Sequence, residues 1–241
     1  MSIQVIAIDG PSASGKSSTA RAVAEALGYA HLDSGALYRG LTRVAIDLDP
    51  VGATDPSRID ADQVIREAER RGLMLEFDGR DYSAYLDGLP ADDRLRTTEV
   101  TAAVSAVSAV PQLREWVNGR LRPLARAGQG VVVDGRDIGT VVFPDAALKI
   151  FLVASAGTRA RRRLIQRGER FDRPRLEAET AILAARDAAD SARAVGPLRR
   201  AEDAIPLDGT SLSFEEQVAV IIALARDRGL LPPTAPSAST I

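Results

Sequence analysis

Gly10-Pro11-Ser12-Ala13-Ser14-Gly15-Lys16-Ser17 follows a short apolar run at 3–8 and opens an alanine-rich helical pattern at 16–27. The eight residues fit the spacing G-x-x-x-x-G-K-[ST]. Gly10 and Gly15 permit the tight turn that aims backbone N–H groups inward at phosphate oxygens. The helix that starts near Lys16 adds its partial positive end. Lys16 is placed to reach the β and γ phosphates, and the Ser17 hydroxyl to ligate Mg²⁺, while Pro11, Ser12, Ala13, Ser14 and Ser18 complete the cradle. A strand before and a helix after are the context this pattern requires. The segment is therefore expected to bind a nucleoside triphosphate, with ATP and Mg²⁺ as the natural pair.

Outward from this loop, short Val- and Ile-rich runs alternate with helical patterns, which predicts an α/β fold with a parallel sheet. Strands are expected at 4–8, 30–32, 130–133, 148–153 and 204–206. Most are near-continuous apolar runs, as in strands covered on both faces. Helices are expected at 16–27, 36–46, 98–107, 111–126, 156–167, 173–190 and 213–228. Residues 47–94 break the rhythm: a helix at 61–71, then short strands at 73–77 and 83–86. The turn signals Asp78-Gly79 and Asp87-Gly88 mark hairpins. This region reads as a small antiparallel α+β insert, not as a continuation of the sheet. The Pro-, Ser- and Thr-rich stretch at 230–241 is expected to be a disordered tail.

The chain has 241 residues, 45% hydrophobic and only 4% aromatic, so its core must be aliphatic. With no cysteine it has no disulfide, thiolate nucleophile or zinc–thiolate site. One histidine, His31, rules out a multi-histidine metal site. A net charge of -2 gives no global pull towards nucleic acid or membranes. No run approaches the ~20 apolar residues of a membrane span, and none resembles a signal peptide. The expectation is a cytoplasmic protein, monomeric, with small-molecule substrates and neither nucleic-acid nor membrane partners.

The phosphate loop alone is compatible with a GTPase, a motor, a transporter ATPase or a kinase. The guanine-reading N-K-x-D pattern is absent. Instead, a second set of anion-binding residues lies at predicted strand ends, where open α/β sheets bind ligands. Ser34 and Arg39, in the segment 33–39 that also carries Tyr38, can hold an acceptor phosphate. Asp134-Gly135-Arg136-Asp137 offers carboxylate, guanidinium and carboxylate, with Asp134 ending a strand as a Mg²⁺ partner should. Arginines at 159, 161, 162 and 163 share one predicted helix, and Arg186 and Arg193 follow. Most of these read as a solvated helix face, but positive charge arriving on a lid would also suit phosphoryl transfer, because it stabilises the transferring group and excludes water.

The stretches IDGPSASGKS (8–17), LDSGALYR (32–39), LRTTEV (95–100), DGRDIGTVVFPDA (134–146) and RDAADSARAVGPL (186–198) together resemble the bacterial cytidylate kinase family. The likeness runs from about residue 6 to 228. It implies a nucleoside monophosphate kinase with a five-stranded parallel core at 1–46 and 95–229. It also implies a monophosphate-binding insert at 47–94 and an arginine-rich lid at about 156–195. Carried over residue by residue, it implies that Ser34, Arg39, Arg136 and Arg193 bind the CMP phosphate, and that Arg186 and Asp190 address the ribose. Ser105, Arg114 and Asp137 would read the cytosine, and Arg159 and Arg163 would touch the ATP. Lys16, Arg136, Arg186 and Arg193 would act on the transferring group. The expected reaction is transfer from Mg·ATP to CMP and dCMP; the alternatives are another small acceptor such as UMP, or a P-loop ATPase or nucleotide switch.

Overall fold

The computed structural model describes residues 4–91, 94–125, 130–170 and 172–230. Strands β1 (Val5–Asp9), β2 (Ala30–Asp33), β6 (Val131–Gly135), β7 (Leu148–Val153) and β8 (Ile205–Asp208) form the parallel core, in the order β2-β6-β1-β7-β8. Every residue of β1 and β6 is buried. Their apolar side chains feed two cores by simple alternation. Val5, Ala7, Val131 and Val133 face one, with Leu41, Val104, Leu113 and Val117 from helices α2 (Gly35–Leu48), α4 (Thr98–Val107) and α5 (Pro111–Leu124). Ile6, Ile8, Val132 and Ile150 face the other, with Val23 and Ile221 from α1 (Lys16–Leu27) and α8 (Phe214–Asp227). This two-sided burial is why the strands read as unbroken apolar runs.

Helix limits follow local chemistry. Gly28, in the left-handed region at φ 65°, ends α1. Thr97 accepts from the Val100 N–H at the start of α4, and Ser213 and Glu216 form a capping box on α8. α6 (Ala156–Gln166) and α7 (Arg173–Ser191) follow β7, with Asp172 capping α7.

The region 47–94 holds α3 (Ala61–Arg70) and strands β3 (Met74–Phe77), β4 (Asp81–Leu86) and β5 (Leu89–Pro90). Asp87 and Gly88 both have positive φ, at 59° and 72°, as the mirror-image hairpin turn requires. Two expectations need correction. The hairpin does continue the sheet, because β4 pairs with β2 in parallel through His31↔Asp81 and Leu32↔Tyr82. The expected five-stranded parallel core is present, and among the described residues the hairpin extends it to eight strands, in the order β3-β4-β2-β6-β1-β7-β8 with β5 on β4. The physical reason is the edge of β2, whose backbone groups would otherwise lack partners; its His31 side chain also bonds Asp81. At the other end, Leu230 is buried beside α8 and is no part of a tail; residues 231–241 lie outside the described residues. Among the described residues, no helix is long and apolar enough to cross a membrane.

Candidate active site

The phosphate loop joins β1 to α1 through three positive-φ residues: Gly10 (153°), Ala13 (59°) and Gly15 (97°). A Cβ on Gly10 would lie 2.0 Å from the Leu152 carbonyl oxygen, so only glycine lets the loop pass β7 here. Lys16 is buried, and its Nζ donates to the Pro11 carbonyl at 2.7 Å and lies 3.4 Å from Ser14 Oγ. Burial, then the charge of Arg136, pushes its ammonium well below the usual lysine range, against Asp134, Asp9 and Asp187. A triphosphate bound beside it would favour its charged form. Ser18 is exposed on the first turn of α1.

At the end of β6, Asp134 Oδ2 accepts from Ser17 Oγ at 2.6 Å, so the two expected magnesium ligands meet. His31 Nε2 lies 2.9 Å from the other oxygen, Oδ1, and its Nδ1 lies 3.2 Å from Asp81. Although burial opposes it, bonding to Asp134 raises the His31 pKa. No cluster of three or more His, Cys, Asp or Glu side chains capable of holding a metal occurs among the described residues. A hydroxyl and one carboxylate suit Mg²⁺ nonetheless, because that ion keeps several waters and takes substrate phosphates as ligands.

The residues expected on the acceptor side gather at the β2 and β6 ends. Ser34 Oγ donates to the Asp134 carbonyl at 2.7 Å, so its hydroxyl proton is used inside the protein. Arg39 is paired with Asp33, which also takes Arg96 at 3.2 Å. Burial alone would raise the Asp33 carboxyl, but the two guanidiniums outweigh it and hold it at about 2. Arg136 reaches both half-sites, donating from Nη2 to Ser12 Oγ at 2.9 Å and from Nε to Asp190 at 3.0 Å. Asp190 also receives Arg193 and, at 3.2 Å, the Ser105 hydroxyl.

Arg114 is 1% exposed, ion-paired to Asp137, bonded to the Ser108 carbonyl at 3.0 Å and stacked 5.4 Å over Tyr38. Burial raises the Asp137 pKa despite Arg114, Arg193 and Arg136. The Tyr38 hydroxyl is buried with no partner among the described residues. Of the three residues expected to share one base, Arg114 and Asp137 are joined, whereas Ser105 bonds Asp190 instead.

The predicted lid arginines divide. Arg159 lies against the loop, its Nη1 donating to the Ser12 carbonyl at 2.9 Å. Arg163 bonds Gln166 at 3.3 Å, and burial followed by Arg167 lowers its pKa. Arg186 is half-buried with Nε unpartnered among the described residues. Its guanidinium is pushed down to about 10 by burial, then by Arg136, with Asp190 opposing and Arg163 and Arg39 adding. Arg39 on α2, Arg136 after β6, and Arg163 and Arg186 on α6 and α7 thus lie close enough to repel one another, an arrangement that suits a polyanion.

Sequence reasoning passed over several participants. Asp187 accepts from the Ser12 N–H at 2.8 Å and pairs with Arg159; its only signal was its place beside Arg186. Asp9 accepts the N–H groups of Ile138 and Gly139 at 2.8 and 2.7 Å, pinning the single π-helical turn Ile138–Val142 behind Asp137. Gly196 covers the Arg114–Asp137 pair so closely that a Cβ there would lie 2.3 Å from Arg114 Nη2.

A family model described as cytidylate kinase matches residues 6–227. A cytidylate kinase from Geobacillus sp. (strain WCH70) is 43% identical over 223 residues, 92% of this chain and 96% of the relative. The one from Streptococcus suis (strain 05ZYH33) is 45% identical over 226 residues, again 92% and 96%. The one from Mycobacterium avium (strain 104) is 42% identical over 226 residues, 93% and 96%. With a phosphate loop beside a cluster of arginines, and likeness along nearly its whole length, the chain belongs to the cytidylate kinase family.

Proposed function

We propose that this protein transfers the γ-phosphoryl group of ATP to CMP, and to dCMP, giving CDP or dCDP and ADP. The observation that carries this reading is Arg136, whose one guanidinium touches Ser12 of the donor loop and Asp190 of the acceptor side. Donor and acceptor phosphates bound at the two half-sites would meet across that side chain. An oxygen of the acceptor phosphate attacks the γ phosphorus in line, and the bond to the bridging oxygen of ADP breaks. The acceptor is already a nucleophile, so no protein base is required. Lys16 and the loop N–H groups hold the donor, while Arg136, Arg186 and Arg193 stabilise the equatorial oxygens. Ser17 and Asp134 would hold Mg²⁺, which would supply positive charge to offset the negative charge of the phosphates.

Asp137 supports the cytosine preference, since a carboxylate accepts from the cytosine N4 amine but meets an acceptor on uracil O4. Arg114, buried beneath it, keeps that carboxylate oriented. Residues 156–195 serve as the lid and 47–94 as the acceptor-side insert. The test is ADP release from Mg·ATP with CMP, dCMP, UMP, AMP or no acceptor, beside Asp137→Ala. CMP and dCMP should dominate, and the variant should lose its preference over UMP. Equal ADP release without acceptor would mean an ATPase and defeat the proposal.

A further inference from the structure

Ser12, the third residue of the phosphate loop, has all three of its polar groups occupied by residues far away in sequence. Its carbonyl accepts from Arg159 on α6 at 2.9 Å, and its Oγ accepts from Arg136 after β6 at 2.9 Å. Its N–H donates to Asp187 Oδ1 on α7 at 2.8 Å, and Asp187 Oδ2 in turn pairs with Arg159. The Asp187 and Arg159 side chains are only 16% and 10% exposed. The result is a closed ring of charge-assisted bonds, which are the strong kind in a partly dry setting. Asp187 directly follows Arg186 and lies three residues before Asp190, so the same stretch of α7 carries a guanidinium whose Nε has no partner among the described residues and the carboxylate that binds Arg136.

We propose that Asp187 is a positioning residue that fastens α6 and α7 to the phosphate loop, thereby aligning Arg186 and Arg136 and keeping water from the γ phosphorus. It touches no reacting atom. Its carboxylate joins the loop N–H to Arg159, so the arginines reach their working geometry only while that contact holds. Misplacement of such groups by ~1 Å costs about 100-fold in rate. The proposal rests on the kinase reading above and assigns a role within it.

The experiment compares wild type, Asp187→Asn and Asp187→Ala by ADP release with and without CMP, alongside calorimetric binding of ATP and urea unfolding. For Asp187→Ala, kcat with CMP should fall about 10- to 100-fold with KM for CMP nearly unchanged. The ratio of acceptor-independent to CMP-dependent ADP release should rise at least several-fold, which a merely structural residue would not cause. Asp187→Asn, which keeps the shape and one acceptor, should fall between the two. An unchanged ratio and kcat in a folded Asp187→Ala would overturn the proposal. So would tighter ATP binding with coupling intact, which would make Asp187 a competitor for phosphate. If the alanine variant does not fold, Asp187→Asn decides, and wild-type coupling there defeats the idea. A wild-type protein indifferent to CMP would instead sink the kinase reading itself.

Discussion

Replacing Arg186 with Met should make the unliganded protein more stable while disabling it. The Arg186 guanidinium is half-buried, its Nε has no partner among the described residues, and its pKa is pushed down to about 10. Burial is the main cause, and Arg136, Arg163 and Arg39 add repulsion that Asp190 offsets only in part. A base whose folded pKa is depressed lowers stability while charged, which at neutral pH it is. Each tenfold change in proton affinity corresponds to about 1.4 kcal/mol, so the penalty has a ceiling of about 3 kcal/mol. Water reaching a half-buried group screens part of that, leaving about 1–2 kcal/mol. Methionine retains most of the apolar stem, and Asp190 keeps Arg136 and Arg193 as partners. For a chain of this size the gain amounts to a rise in Tm of about 3–6 °C. Thermal and urea unfolding at pH 7 without nucleotide would measure it. The same variant should lose the extra stabilisation that ATP plus CMP confer, and its kcat should drop about 1000-fold or more, the scale of a transition-state arginine. If Arg186→Met is instead less stable than wild type without ligand, the resting site already balances its charge, and the reading of a prebuilt polyanion site is wrong.

Burial pushes the Asp9 carboxyl up to about 6, although two backbone N–H groups favour its ionised form. A raised carboxyl pKa favours the protonated native state, so this contribution is full below about pH 4 and is lost as pH rises through 6. The stability difference between wild type and Asp9→Asn should therefore shrink by about 2.5 kcal/mol between pH 4 and pH 7. A difference independent of pH would show that Asp9 titrates normally. Gly10→Ala must push the Leu152 carbonyl away from a Cβ 2.0 Å off and hold alanine at φ 153°. We expect a loss of at least ~3 kcal/mol in urea unfolding together with loss of ATP binding. A folded variant with wild-type ATP affinity would refute that account of the loop.

What the sequence by itself determined is whatever rests on neighbours along the chain. The phosphate loop is legible because turn, lysine and hydroxyl must follow one another to wrap a phosphate. β7 at Leu148–Val153 and α4 at Thr98–Val107 match their expected limits because burial pattern and caps are local signals. Ser17 meets Asp134 because the first turn of α1, which follows β1, stands beside the end of the neighbouring parallel strand β6. Only the tertiary structure decided the rest. The docking of β4 on β2 joins residues about 50 positions apart, and hairpin signals say nothing about which edge a hairpin meets. Asp187 against Ser12 spans 175 positions, and in sequence it is one carboxylate in an acidic and basic helix. Ser34 and Arg39 were expected to hold an acceptor phosphate, and the partners they have in the fold are Asp134 and Asp33. A motif names residue types able to bind phosphate. Which charges lack a partner, and so wait for a ligand, depends on every side chain folded around them.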